Sequence, residues 1–245
     1  MKIALIGFGK MGRAIEVVAG EHNAAGNQPQ VEIVLKIDKE NLNDLTNENI
    51  HKADVAIEFS TPETVIQNVF TCLDAGVPVV IGTTGWYDQL DSVIQKCKEK
   101  DCAVMYTPNY SVGVNLFFEI NKLLAEFMHN QPMYNVKIAE THHTEKADSP
   151  SGTALKLAGQ ILDNITSKEK WVNQVTTNKN ELEIISQRVP GVAGTHVVNY
   201  ISEFDEITII HKAHSRKGFA QGALQAAIWL KGKKGVYTMK DVLGL

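Results

Sequence analysis

Short apolar runs alternate with amphipathic segments along the first half of the chain. The runs are rich in Val and Ile and are bounded by Gly, Pro or Asp, which is typical of buried strands. The segments beginning at Lys10, Pro62 and Tyr87 carry apolar residues at helical spacing. Strands that alternate with helices predict a doubly wound parallel sheet covered on both faces. The predicted strands cover residues 2–7, 31–38, 54–59, 77–82 and 102–107.

The pattern changes after Pro108. A strongly apolar helix is predicted over residues 114–129, an alternating strand over 134–143 and another helix from Thr153. Three successive strands without intervening helices then predict an α+β unit with a mixed or antiparallel sheet. These strands cover residues 181–189, 194–202 and 206–214, and a last helix is predicted over 218–235. The apolar positions of the first of these helices are Leu116, Phe117, Ile120, Leu123, Leu124 and Phe127.

Composition narrows the functional classes. The chain has 245 residues and a formal net charge of −4, and no dense Lys/Arg block that would favour nucleic acid or anionic lipid as a partner. No apolar run approaches the roughly 18 residues of a membrane span. The apolar run at the start is too short for a secretory signal. Three cysteines without metal-ligand spacing, Cys72, Cys97 and Cys102, fit a reducing compartment, so we expect a cytoplasmic protein.

A glycine-rich motif lies between the first predicted strand and helix. Its G-x-G-x-x-G spacing permits a tight turn and close approach of the backbone to a pyrophosphate, at a helix start that attracts anions. The motif consists of Gly7, Phe8, Gly9, Lys10, Met11 and Gly12. The sequence therefore predicts a dinucleotide site in a Rossmann-like domain.

Asp38 ends the second predicted strand, where an acidic side chain accepts hydrogen bonds from a free ribose 2′-hydroxyl and repels a 2′-phosphate. Lys39 follows it and would hold such a phosphate. We therefore expect a preference for NADH, with NADPH tolerated. Two turns at later strand ends are candidates for the nicotinamide half of the site. Their residues are Gly82, Thr83, Thr84, Thr107, Pro108, Asn109 and Tyr110.

The stretch ETHHTEKADSPSGT carries the candidate chemistry of the second half. His142 and His143 end a strand, so their side chains should point to opposite faces. Lys146 would donate a proton or hold a carboxylate. Ser151, Gly152 and Thr153 begin a helix whose free N–H groups suit an anion, although a serine there is also an ordinary N-cap.

Adjacent histidines without a helical Cys or Glu partner argue against a zinc site, so no metal is predicted. Together, the histidines, Lys146 and the helix start predict a site for a small acid that accepts hydride from a nicotinamide.

Two other interpretations remain open. One is another NAD(P)-dependent amino-acid or semialdehyde dehydrogenase, although Cys102 has no basic neighbour to make it a nucleophile. The other is a catalytically silent dinucleotide sensor.

Six blocks of the chain resemble the dihydrodipicolinate reductase family, and they span nearly its whole length. They read GFGKMGR, IGTTGW, TPNYSVGVN, ETHHTEKADSPSGTA, GTHVVNY and HKAHSRKGFAQGALQAAIWL. The chain is shorter than many members, and Asp38-Lys39 stands where others carry an acid followed by arginine.

The resemblance implies NAD(P)H-dependent reduction of 4-hydroxy-tetrahydrodipicolinate, with loss of water, in lysine and diaminopimelate biosynthesis. It implies that His142 and Lys146 transfer protons, that His143, Gly152 and Thr153 bind the carboxylates of a small dicarboxylate substrate, and that the glycine motif, Asp38 and the two turns bind the cofactor. Members of the family assemble as homotetramers through the sheet of the second domain, and their C-terminal helix returns to the nucleotide domain. We therefore expect a dinucleotide-binding domain over 1–108 and 215–245, and a substrate-binding and tetramerisation domain over 109–214.

Overall fold

The computed structural model describes residues 1–245, which form two compact units: Met1–Val112 with Lys217–Leu245, and Gly113–Arg216. The strands are β1 Lys2–Ile6, β2 Glu32–Ile37, β3 Val55–Glu58, β4 Val79–Ile81, β5 Ala103–Tyr106, β6 Asn135–His142, β7 Lys170–Val172, β8 Glu181–Arg188, β9 Gly194–Ile201, β10 Glu206–Ala213 and β11 Gly235–Tyr237. The helices are α1 Lys10–Ala24, α2 Asn47–Ile50, α3 Val65–Asp74, α4 Leu90–Glu99, α5 Val112–Met128, α6 Gly152–Asn164, α7 Lys217–Leu230 and α8 Met239–Leu243. No helix has the length and apolar character needed to cross a membrane.

The first unit is built on a six-stranded parallel sheet in the order β11-β5-β4-β3-β1-β2. Side chains of β1 alternate between the two faces: Ile3 and Leu5 join one apolar core and Ala4 and Ile6 the other. Helices α1 and α7 contribute to the first core, and α3 and α4 to the second. The predicted doubly wound fold is confirmed. The chain order reverses between β1 and β3, and ligands of such sheets bind outside the carboxyl ends of the strands at that point.

The second unit is built on a five-stranded mixed sheet in the order β10-β9-β6-β8-β7. β6 pairs antiparallel with β9 and parallel with β8, as expected for an α+β unit. Its core contains side chains of α5, α6 and one face of the sheet, among them Phe117, Leu157, Ile138 and Val198. The three-residue strands β7 and β11 were not predicted. The helix predicted over 218–235 is shorter than expected, because α7 ends at Leu230, Gly232 takes a φ of +78°, and Gly235 begins β11.

Helix α5 is apolar on more than one side. Phe117, Phe118 and Ala125 pack into the core of the unit. Most of the apolar positions noted in the sequence lie on the other side of the helix. There Leu116, Ile120, Leu123 and Phe127 are between 42% and 68% exposed and form what we call the α5 stripe.

Candidate active site

The glycine motif forms a close-packed turn between β1 and α1. Gly7 has a φ of +88°, and a Cβ atom there would lie 2.0 Å from the carbonyl oxygen of Phe59, so no other residue fits. A Cβ on Gly12 would lie 2.8 Å from the carbonyl oxygen of Gly7, so α1 can approach the turn only without a side chain at this position. This is the backbone cradle that a pyrophosphate requires.

A cavity of about 530 Å³ opens beside this turn. Its wall includes Gly7, Gly9, Asp38 and Lys39, which the sequence proposed for one dinucleotide site. One carboxylate oxygen of Asp38, Oδ1, accepts a hydrogen bond from the backbone N–H of Glu40 at 2.8 Å, while Oδ2 accepts none within the protein. Asp38 therefore has an acceptor available for a ribose hydroxyl. Phe8, Lys10 and Arg13 complete this part of the wall.

A second cavity, of about 460 Å³, shares part of that wall and lies at the ends of β3 and β4. Gly82, Thr83 and Thr84 line it together with the predicted motif residues Gly9, Lys10 and Met11. The other predicted turn is placed differently. Thr107, Pro108, Asn109 and Tyr110 line neither cavity, and the buried Tyr110 hydroxyl donates to the carbonyl oxygen of Ile81 at 2.8 Å.

In the second unit, strand register assembles a polar cluster around Glu140. Glu140 pairs with His196 on β9 and with Ser186 on β8, and His142 pairs with Arg188. Residues two apart on a strand share a face, so Glu140 and His142 both point to the buried side of the sheet. Glu140, His142 and His196 are 1%, 7% and 4% exposed.

The two carboxylate oxygens of Glu140 have different surroundings. Oε1 accepts hydrogen bonds from the Ser151 backbone at 3.0 Å and from Ser186 Oγ at 2.8 Å, and it lies 3.7 Å from the Arg188 guanidinium. Oε2 lies 3.4 Å from Nδ1 of His142 and 3.6 Å from Nε2 of His196 and has no hydrogen-bond partner. Glu140 thus stands between two imidazoles and the start of α6.

This arrangement lowers the pKa values of both Glu140 and His142. Burial alone would raise the pKa of Glu140, but polar contacts with His196, Ser151 and Ser186 outweigh it and hold the pKa at about 2. Burial, followed by the neighbouring His196, lowers the pKa of His142 to about 4, although the Glu140 carboxylate acts in the opposite direction. His142 is therefore a neutral imidazole at neutral pH.

The rest of the motif lies around the start of α6. Ser151 is the N-cap: its Oγ accepts from the Ala154 N–H at 3.1 Å and lies 3.2 Å from Nε2 of His196. Gly152 and Thr153 form the first turn of the helix. His143 follows the end of β6 and is partly exposed, whereas His142 is buried, so the two imidazoles have different surroundings.

Lys146 makes an ion pair of 2.7 Å with Asp148. Burial would raise the pKa of Asp148, but the Lys146 ammonium and the Gly152 N–H lower it. The Asp148 carboxylate therefore lies where the Lys146 ammonium and the N–H of Gly152, at the start of α6, favour an anion.

Glu140, His142 and His196 each offer a metal-ligand atom, and these atoms lie within 4.8 Å of one another. Their identities suit zinc, but the surroundings do not. The Arg188 guanidinium approaches the same carboxylate, the electrostatic influence of Lys146 reaches His142, and Ser151 starts a helix whose end is positive. These positive groups favour a carboxylate over a divalent cation, and the metal-free site stays a prediction.

Comparison with known proteins identifies the family to which the chain belongs. Residues 1–110 match the N-terminal domain of dihydrodipicolinate reductase and residues 113–243 its C-terminal domain. The chain belongs to the dihydrodipicolinate reductase family. It is 43% identical to the 4-hydroxy-tetrahydrodipicolinate reductase of Christiangramia forsetii, over 99% of this chain and 98% of the relative. The reductase of Methanosarcina barkeri is 37% identical over 85% and 79% of the two chains. A dipicolinate-bound dihydrodipicolinate reductase from Paenisporosarcina has a TM-score of 0.78 and 25% identity, covering 98% of each chain.

Several residues that line these sites in the two units were not predicted from the sequence. Arg13 and Ser60 line the larger cavity, and Glu140, His196 and Arg188 surround His142. Two of them had a local signal: Arg13 directly follows the glycine motif, and Glu140 is two residues before His142 on a predicted strand. His196 lies in the quoted GTHVVNY block and Arg188 on a predicted strand, but nothing local linked them to His142, because only the register of β6 with β9 and β8 brings them there.

Proposed function

We propose that the protein reduces 4-hydroxy-tetrahydrodipicolinate to tetrahydrodipicolinate, with loss of water, in the diaminopimelate route to lysine. The observation that carries this proposal is the match of 99% of the chain to a reductase of that name. The dipicolinate bound to the Paenisporosarcina relative supports a cyclic dicarboxylate as the ligand of this site.

NAD(P)H supplies the hydride in this reaction. The glycine cradle fits its pyrophosphate, Asp38 its adenosine ribose, and the turn of Gly82, Thr83 and Thr84 its nicotinamide half. NADH is preferred because Asp38 offers an unpaired acceptor oxygen. NADPH remains usable because Lys39 lines the same cavity.

Lys146 is the proton donor and His142 the base in this scheme. A neutral imidazole accepts a proton, as the loss of water requires of one group in the site. The ammonium of Lys146 has protons to donate, and its ion pair of 2.7 Å with Asp148 supports a place for Lys146 beside a carboxylate. Glu140 orients His142 by offering Oε2 to Nδ1, so that Nε2 is the atom that takes the proton.

The substrate carboxylates are held by the start of α6 and by His143. The effect of the Lys146 ammonium and the Gly152 N–H on Asp148 supports this assignment, because the same two groups would attract a substrate carboxylate. Thr153 lies in the same helical turn and adds a hydroxyl. Ser151 has a double role, because it caps α6 and contacts His196.

Assembly as a homotetramer is part of this proposal. The exposed α5 stripe and the exposed Ile207 and Ile210 of β10 are apolar surfaces of the second unit, and such surfaces favour a protein partner. The proposed location is the cytoplasm, in keeping with three free cysteines, all buried.

The direct test is the loss of NADH absorbance when freshly generated 4-hydroxy-tetrahydrodipicolinate is added to the purified protein. Consumption of NADH and formation of tetrahydrodipicolinate are expected. Binding of NADH without turnover would favour the dinucleotide sensor.

A further inference from the structure

Glu58 is a buried acid at the switch point of the parallel sheet. It is the last residue of β3, has no exposed surface and pairs with Ile6 of β1 on one side and Ile81 of β4 on the other. The next residues along those two strands are Gly7 and Gly82, where the two nucleotide-site turns begin. The position of Glu58 thus joins both halves of the site.

Hydrogen bonds connect Glu58 to the cavity walls. Its Oε1 accepts from the backbone N–H of Ser60 at 3.0 Å, from the Ser60 hydroxyl, and from Asn68 Nδ2 at 3.2 Å. The same Ser60 N–H donates to Thr83 Oγ1 at 2.8 Å. Ser60 lines both cavities, Asn68 the larger and Thr83 the smaller, so one carboxyl group supports three wall residues.

The surroundings of Glu58 favour its neutral form. Burial raises the pKa of Glu58, and hydrogen bonds from Ser60, Thr83 and Asn68 oppose this only in part. The titratable side chains that sense its charge are Cys72 and Tyr110, neither of which is a cation. Oε2 is buried without a partner, which costs much less for the carbonyl oxygen of a neutral acid than for a carboxylate.

We infer that Glu58 is a positioning residue for the nicotinamide cofactor, which holds Ser60 and Thr83 in place at the wall shared by the two cavities. Burial shifts Glu58 towards its neutral form, and a neutral acid would place less negative charge beneath a cofactor that carries phosphates. This inference rests on the nucleotide cofactor of the proposed function.

The test uses the full-length protein and two variants of similar volume. Glu58→Gln keeps an acceptor oxygen and no charge, whereas Glu58→Leu removes every hydrogen bond. NADH binding is followed by fluorescence titration, and kcat, both KM values and the melting temperature are measured beside it. Glu48→Ala, an exposed acid on α2 outside both cavities, is the control.

We expect Glu58→Leu to raise the Kd for NADH roughly tenfold, as the loss of a buried hydrogen-bond network implies. The KM for the dicarboxylate should change less than about twofold, and Glu58→Gln should bind NADH within about threefold of the wild type. A merely structural role would lower the melting temperature without separating the two KM values.

A folded Glu58→Leu protein with unchanged NADH affinity would overturn the inference. If that variant does not fold, the test rests on Glu58→Gln. A large loss of NADH affinity in Glu58→Gln would also overturn the inference, because it would show that a neutral acceptor at this position is not sufficient. Infrared difference spectra give a further readout, since the C=O band of a protonated carboxyl group should disappear in Glu58→Gln. Wild-type protein that binds neither NADH nor NADPH would instead contradict the proposed function.

Discussion

Oε2 of Glu140 lies 3.4 Å from Nδ1 of His142, and both are buried atoms without a hydrogen-bond partner in the protein. A carboxylate in this position favours the tautomer of His142 that carries its proton on Nδ1. Nε2 then has the free lone pair. The relationship follows from alternation along β6, which places the two residues on the same face.

Glu140→Gln should therefore lower kcat at least tenfold, because an amide neither fixes this tautomer nor stabilises a protonated imidazole. The acid limb of the kcat/KM profile should move to lower pH, since the Glu140 charge raises the pKa of His142 and the variant lacks that charge. Glu183→Gln is the matched control: Glu183 is a buried acid of the same sheet that contacts Lys137. Equal losses in both variants would reduce Glu140 to a structural role.

The free energy of unfolding should decrease in two steps as the pH is lowered. The pKa of His142 is about 4 in the folded protein and about 6.5 in the unfolded chain, so the unfolded state binds more protons between these values. Stability is thus complete above pH 6.5 and declines by up to about 3 kcal/mol as pH falls to about 4. Glu140, with a pKa near 2 when folded, extends the loss below about pH 4.5.

Melting temperatures at pH 7, 5.5 and 4 test the first step. His142→Gln removes the titrating group and should flatten the decline, whereas His129→Gln, at an exposed position, should retain it. An equally steep decline in His142→Gln would show that other groups cause the acid lability.

Variants of Lys146 test whether this residue is the proton donor. Lys146→Ala should lower turnover by about 10²-fold or more if the side chain donates a proton in the transition state. Lys146→Arg keeps a cation for the substrate carboxylate but is a poor proton donor, so it should preserve KM better than kcat. Lys170→Ala, on the exposed edge strand β7, should change neither. Unchanged turnover with a raised KM alone would make Lys146 a binding group.

Local patterns predicted most of the fold, because strands and helices of the first unit bury one or both faces in a periodic way. The glycine motif was predictable for the same reason, since its spacing is a requirement of one backbone turn. The arrangement around His142 was not, because its partner His196 is brought there by strand register across more than fifty residues of sequence. The α5 stripe shows a further limit: periodicity identifies an apolar face but not what covers it.

Cofactor choice should depend on Asp38 and Lys39. Asp38→Ala removes the acceptor for the ribose hydroxyl and should raise the KM for NADH by roughly 10- to 100-fold, the effect of losing a charge-assisted hydrogen bond. The KM for NADPH should rise less or fall, since the repulsion of a 2′-phosphate also disappears. Lys39→Ala should weaken NADPH and leave NADH nearly unchanged. The measurement is kcat/KM with each cofactor for both variants, and Asp88→Ala, at an exposed position outside both cavities, is the control. A wild-type enzyme that strongly prefers NADPH would contradict the role given to Asp38, whatever the variants do.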